Sequence, residues 1–164
     1  MNLSAQSISH KDVFNEIQKI PKTNYKLFKV NCPFQGMYSL SNFCEKDLYI
    51  LFRKIGYAHR RDPYEYRTQV SDLGLFNFLE SQNISKSNFI LAGFFKFKEK
   101  EKITLSFFNK IGKTAKNRSY YININSIIDA NSNSESNWYN AEGFRVNTIQ
   151  SNLFYDKLKI RYHK

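Results

Sequence analysis

Alternating apolar and polar residues over positions 88–125 predict three consecutive β-strands. A strand projects successive side chains to opposite faces, so apolar residues at every second position indicate a buried face. Polar residues 98–102 separate the first two strands and have the length of a hairpin connection. We expect an antiparallel meander over about residues 88–126, buried on one face and largely polar on the other. The apolar positions are Phe89, Leu91, Phe95, Phe97, Ile103, Leu105, Phe107, Ile122 and Ile124.

Helical spacing of apolar residues predicts three helices before this meander. Ser9 begins the first helix, Asp12 gives it an acidic first turn, and Pro21 ends it. Residues 42–56 predict the second helix, because an Asn cap and a Gly stop enclose Leu, Phe and Ile at helical spacing. Residues 71–82 predict the third helix. We expect the helices to pack on one face of the sheet.

The segment 56–70 fits two structures. Asp62, Pro63 and Glu65 have the order expected of the first turn of a helix. Residues 64–70 nevertheless alternate between large or β-branched and charged or polar side chains, as a strand does. We favour a helix here and keep the strand as the alternative.

The remaining segments complete an α+β fold. Residues 25–30 and 144–147 predict short strands, and residues 157–162 predict a last strand with basic residues at alternate positions. Residues 129–141 are dense in Asn and Ser and predict a long loop. We expect a single domain spanning residues 1–164, with N-terminal helices packed on one face of a four- to five-stranded antiparallel sheet.

The positive charge of the chain indicates an anionic partner. Its 164 residues carry a net charge of +11, and the sequence pI is about 9.6. Residues 96–118 alone hold eight Lys or Arg residues against two Glu residues. Nucleic acid is therefore the first expectation, and an acidic protein is the second. The sequence has no apolar run long enough to span a membrane and no visible signal segment, which predicts a cytoplasmic protein without membrane insertion.

The first hypothesis is a protein that binds RNA or DNA through its phosphate backbone, using the 96–118 hairpin and loop. Arg145 is expected to assist, and Tyr121 is expected to stack on a base. If about six phosphates are neutralised on a duplex, the salt dependence should have a slope of roughly −5. The candidate binding residues are Lys96, Lys98, Lys110, Lys113, Lys116, Arg118, Tyr121 and Arg145.

The alternative hypothesis is a toxin-like, metal-independent endoribonuclease. Histidine is the residue type best suited to act as an acid or a base near neutral pH, which makes His59 a candidate, and the adjacent Arg60 can bind a phosphate. With Glu65 these residues form a candidate catalytic set of acid, base and cation. A third hypothesis is a small basic inhibitor or effector that binds another protein, with Trp138 and Tyr139 as anchors. The sequence leaves open whether the protein is an enzyme.

No cofactor or metal site is predicted. The Gly-Lys-Thr sequence at 112–114 resembles part of a phosphate-binding loop, but the glycine required five positions earlier is replaced by Phe107. Cys32 and Cys44 are too few, and too far apart in sequence, to predict a zinc site.

Overall fold

A computed structural model describes residues 4–21, 25–41, 43, 47–108, 117–141 and 143–162. Within these residues the chain forms ten β-strands and four α-helices. The strands are β1 (Lys26–Lys29), β2 (Met37–Ser41), β3 (Leu48–Lys54), β4 (Gly56–Tyr57), β5 (Glu65–Ser71), β6 (Phe89–Lys96), β7 (Ile103–Phe108), β8 (Asn117–Asn123), β9 (Glu135–Tyr139) and β10 (Arg145–Gln150). The helices are α1 (His10–Gln18), α2 (Asp72–Ser81), α3 (Ile124–Asn133) and α4 (Phe154–Tyr162).

The strands form two sheets. The larger sheet has seven strands in the order β1-β2-β3-β6-β7-β10-β9, and the smaller one has the order β4-β5-β8. Strands β3 and β6 are parallel, and all other neighbours are antiparallel. A parallel pair needs a crossover connection, which here includes β4, β5 and α2. The α+β class is confirmed, but the main sheet is larger than predicted and it is mixed.

The predicted meander is only partly present. Strands β6 and β7 form the expected antiparallel hairpin. The third predicted strand, β8, instead pairs with β5 in the smaller sheet. The predicted face assignment was also wrong, because the register pairs Leu105 with Phe94 and so places Leu105 on the opposite face from Phe95.

Both faces of the large sheet are buried. Helices α1 and α4 contribute to a core cluster on one face, and α2, α3 and the smaller sheet contribute to a second cluster on the other face. The second face was predicted to be polar, yet Thr104 and Ser106 are buried there. Their hydroxyls are satisfied inside the protein, because Thr104 donates to the Phe95 carbonyl at 3.2 Å and Ser106 shares a 2.7 Å hydrogen bond with Thr148.

The predicted second helix is strand β3. Residues Leu48, Ile50 and Phe52 belong to the first core cluster, whereas Leu51 and Ile55 belong to the second. A central strand that is buried on both faces has apolar residues at nearly every position, and this pattern contains helical spacing by accident.

The segment 56–70 is also strand rather than the favoured helix. Its two strands, β4 and β5, form a hairpin that a hydrogen bond from the Ala58 amide to the Glu65 carbonyl extends. The alternation in β5 is confirmed, since Tyr66 is buried like the residues two and four positions further on. Asp62 accepts a hydrogen bond from the Tyr64 amide at 2.8 Å, so its side chain stabilises the turn and does not cap a helix.

The predicted long loop over residues 129–141, based on their Asn and Ser content, is wrong. These residues complete α3 and form β9. The Asn123 side chain caps α3 by accepting from the Asn125 amide, and Ser134 ends it with φ of 76°. Ser126 and Ser136 then join the helix to the next strand through a 2.8 Å hydrogen bond.

The last predicted strand, residues 157–162, is part of α4. Phe154 and Leu158, four positions apart, are buried on one side of this helix, and Ile160 is 65% exposed. The predictions of β1, α1, α2 and β10 are confirmed. Within the residues that the structure describes, no helix is both long and apolar enough to cross a membrane.

Candidate nucleic-acid interface

A groove of about 460 Å³ lies between β8 and the connection from β9 to β10. Strand β8 pairs with β5 along one edge, and it has no second strand partner in the described part of the chain. Residues from four segments line the groove. Those that matter for its chemistry are Arg60, Glu65, Arg118, Tyr121, Trp138 and Arg145.

The groove gathers five residues that the sequence singled out separately. Arg60 and Glu65 were predicted as catalytic residues, and Arg118, Tyr121 and Arg145 as binding residues. The fold brings them together because β5 pairs with β8, and because the connection between β9 and β10 lies opposite that pair. Three arginines against one glutamate give the groove a positive charge.

Tyr121 lies on the outward face of the smaller sheet, directly across from Arg67 in the register. The Arg60 guanidinium lies 4.9 Å from the centre of the Tyr121 ring. Partial burial on its own raises the pKa of Tyr121. Hydrogen bonds with Ser119, Arg60 and Arg67, together with the charge of Arg60, outweigh this effect and hold the pKa below its ordinary value.

Arg60 also pairs with Glu65. Its Nη1 lies 3.3 Å from Glu65 Oε1, with side-chain exposures of 55% and 27%. Such a partly exposed pair contributes at most about 1 kcal/mol to stability. Glu65 Oε1 is buried and accepts no hydrogen bond within the described residues. The pair therefore places one cation between a carboxylate and a phenol.

Arg118 lies next to a buried carboxylate, that of Asp72, which the sequence did not single out. Asp72, the first residue of α2, is fully buried and accepts a hydrogen bond from the Tyr120 hydroxyl at 2.5 Å. Its second oxygen lies 3.9 Å from Arg118 Nη1. In the sequence, Asp72 follows Ser71 and has the pattern of an ordinary acidic residue in the first turn of a helix. The pairing of β5 with β8 places it beside Arg118, and the sequence does not reveal that pairing.

Trp138 lines the groove with its aromatic ring. It belongs to β9 rather than to the predicted loop, and it is partly buried against the second core cluster. The neighbouring Tyr139 is 63% exposed. The hypothesis of a protein partner that uses these two rings stays a prediction.

Other predicted site residues lie elsewhere. The His59 ring packs against Tyr57, with ring centroids 4.7 Å apart, and His59 does not line the groove. Its φ of 55° is unusual for a residue other than glycine. Three further predicted binding residues fall outside the described part of the chain, namely Lys110, Lys113 and Lys116.

Two lysines of the predicted hairpin lie at the far end of β7. The register pairs Lys96 with Ile103, whereas the groove is lined by Phe108, five positions and about 17 Å further along the strand. Lys96 Nζ hydrogen-bonds to the Gln6 side chain, and the amide of Lys98 donates to the Ser4 carbonyl. These lysines are therefore not part of the groove.

Comparisons with protein-family models, with curated proteins and with solved structures gave no match to this chain. Among the residues that the structure describes, no three His, Cys, Asp or Glu side chains lie close enough together to hold a metal ion. A function is therefore inferred from the chemistry of the groove.

Proposed function

We propose that this protein binds single-stranded nucleic acid in the groove beside β8. The observation that carries the proposal is the convergence of Arg60, Arg118 and Arg145 with the rings of Tyr121 and Trp138 in one groove. Arginines bind the phosphates, and the aromatic rings provide faces for unpaired bases.

Arginine is suited to this role because of its shape and its permanent charge. The guanidinium group stays protonated at any physiological pH and presents planar donors that match two phosphate oxygens. Arg60 and Arg145 are exposed at the rim of the groove, and Arg118 is half-buried against Asp72. The three cations thus reach the groove from three separate parts of the chain.

The aromatic rings in the groove favour an unpaired strand. A volume of about 460 Å³ falls within the range of roughly 300–1,000 Å³ that is typical of small-ligand sites. A duplex keeps its bases paired and stacked inside, where Tyr121 and Trp138 cannot reach their faces. A single strand can place a base against either ring, and each stacked base contributes about 1–3 kcal/mol.

The salt dependence of binding tests this proposal. If each groove arginine neutralises one phosphate, the slope of log K against log salt on single-stranded RNA should be about −2. Replacing two of the arginines, in Arg60→Gln/Arg145→Gln, should weaken binding at low salt and bring the slope to about −0.7. Fluorescence anisotropy of a labelled oligonucleotide over a salt series measures both values.

A matched control removes the same charge from a different surface. Lys29 and Lys159 are exposed on β1 and α4, away from the groove. Lys29→Gln/Lys159→Gln should therefore leave the slope unchanged. Equal loss in both double variants would indicate nonspecific attraction to a basic protein and would contradict a groove site, as would a wild-type slope near zero.

A further inference from the structure

We infer that the groove also cleaves the RNA strand it binds, with Glu65 accepting the proton of a ribose 2′-hydroxyl and Tyr121 donating a proton to the 5′-oxygen that leaves. This inference rests on the proposed function, since it uses the same groove and the same bound strand. It replaces His59 in the predicted catalytic set with a tyrosine from β8.

The register of the smaller sheet places the two groups as neighbours. Glu65 lies directly across from Asn123, and Tyr121 is two positions before Asn123 on the same strand. Glu65 and Tyr121 are thus diagonal neighbours on one face of the sheet, with backbones about 7–8 Å apart. Side chains at this separation can contact the same phosphate group.

Arg60 occupies the space between the two groups. It is 3.3 Å from the Glu65 carboxylate and 4.9 Å from the centre of the Tyr121 ring. A cation at this point attracts the scissile phosphate and stabilises the extra negative charge of the phosphorane. Arg118 and Arg145, which line the same groove, add to that positive field.

Glu65 is the proton acceptor that the site offers. Among the described residues that line the groove it is the one carboxylate, and its Oε1 accepts no hydrogen bond within the described part of the chain. Arg60, which covers this oxygen, is more than half exposed, so an arriving phosphate can contact it from solvent and draw it from the carboxylate. The carboxylate can then take a hydroxyl proton.

Tyr121 is the matching proton donor. Its phenol faces Arg60 and Arg67, Glu65 lies diagonally across the strand pair, and Arg145 lines the same groove. The hydrogen bonds with Ser119 and the two arginines, opposing the effect of burial, lower the pKa of the phenol. A phenol with a lowered pKa gives up its proton more readily to a leaving oxygen.

The step balances without a further reactant. The 2′-oxygen forms a bond to phosphorus as its proton passes to Glu65, and the bond from phosphorus to the 5′-oxygen breaks as that oxygen takes the proton of Tyr121. The products are a 2′,3′-cyclic phosphate and a free 5′-hydroxyl. Glu65 then releases its proton to water, and the Tyr121 phenolate regains one from water.

The test compares two oligonucleotides of the same sequence, one of RNA and one entirely of DNA, with the full chain in EDTA. The wild-type protein should cleave the RNA to cyclic-phosphate ends and bind the DNA without cleaving it. Glu65→Gln and Tyr121→Phe should each slow cleavage by about 100-fold or more. Neither variant should weaken binding of the DNA oligonucleotide by more than about threefold, because Tyr121→Phe keeps the aromatic ring and Glu65→Gln removes a negative charge from the groove. This readout separates a catalytic role from a loss of binding or folding. Tyr139→Phe, an exposed tyrosine change outside the groove, should cleave at the wild-type rate.

The pH profile gives an independent readout. A proton donor must be protonated, so the wild-type cleavage rate should fall as pH rises through the pKa of Tyr121, which lies below the ordinary value of 10. This alkaline limb should disappear from the residual activity of Tyr121→Phe. An unchanged limb in that variant would overturn the role of Tyr121.

The outcomes separate the inference from the proposed function. Salt-dependent binding of both oligonucleotides with intact RNA would overturn cleavage and leave the binding function standing. Absence of binding to either oligonucleotide would overturn both. Cleavage that is lost in His59→Gln but kept in Tyr121→Phe and Glu65→Gln would overturn the assignment to this pair.

Discussion

Replacing Phe154 by alanine is expected to lower the free energy of unfolding by about 3–5 kcal/mol. Phe154 begins α4 and has no exposed surface. Its ring lies 6.1 Å from that of Phe52 on β3 and 6.5 Å from that of Phe107 on β7. Alanine removes these contacts and leaves a cavity between the helix and the centre of the large sheet. Thermal unfolding should shift downward by about 6–20 °C for a domain of this size.

Ile160 provides the control on the same helix. It is 65% exposed, so Ile160→Ala should change stability by no more than about 0.5 kcal/mol. The sequence-based interpretation of residues 157–162 as a strand predicts a larger effect of Ile160→Ala, because it places Ile160 on the apolar face. A large effect of Ile160→Ala beside a small effect of Phe154→Ala would contradict the helix and its packing.

The sequence predicted the elements that a local pattern defines. Ser9 precedes the first residue of α1, and its amide donates a 2.7 Å hydrogen bond to the Asp12 side chain, as the capping pattern indicates. The hairpin of β6 and β7 was likewise predictable, because a short polar segment joins two strands that are adjacent in sequence.

The sequence did not predict strand β3, which is buried on both faces, or the pairing of β8 with a distant strand. Strand β3 looks helical because partners on two sides demand apolar residues at most positions. Strand β8 follows β7 in sequence but pairs with β5, about fifty residues earlier. No local pattern encodes that pairing.

For the candidate site, too, the sequence predicted the residue types but not their long-range arrangement. Residue types alone singled out Arg60, Arg118, Tyr121 and Arg145, since cations and exposed rings are what a polyanion requires. Glu65 was singled out as a candidate acid or base. Their convergence depends on the pairing of β5 with β8 and on the position of the connection after β9, which the sequence does not reveal. For the same reason Lys96 and Lys98 were grouped with these residues although the structure separates them.

Replacing Tyr120 by phenylalanine is expected to lower the free energy of unfolding by about 1.5–3 kcal/mol. The Tyr120 hydroxyl donates to Asp72, a carboxylate with no exposed surface. The other oxygen of Asp72 accepts no hydrogen bond within the described residues, and Arg118 lies 3.9 Å from it. Removing the hydroxyl therefore takes away the one short hydrogen bond that the described residues give this buried carboxylate. Chemical denaturation of the wild type and the variant measures the difference.

Tyr155→Phe is the matched control. Tyr155 is 5% exposed, and burial, with no contribution from a hydrogen bond to a described residue, raises the pKa of its hydroxyl. Its loss should change stability by no more than about 0.5 kcal/mol. If Tyr120→Phe proved as mild as Tyr155→Phe, the Asp72 carboxylate would not depend on Tyr120.

Tyr120→Phe is also expected to change nucleic-acid binding in the groove, because it alters the position of Arg118. Asp72 holds Tyr120 and Arg118 together, and both of these residues line the groove. Once the Tyr120 hydroxyl is gone, the carboxylate is expected to draw Arg118 inward to replace the missing donor, because a buried charge without hydrogen bonds is costly. Tyr120→Phe should therefore weaken RNA binding and bring the salt slope from about −2 to about −1.4, the value for two phosphates. Asp72→Asn, which removes the attracting charge, should leave the slope near −2, and this contrast ties the cation at the groove to the carboxylate behind it.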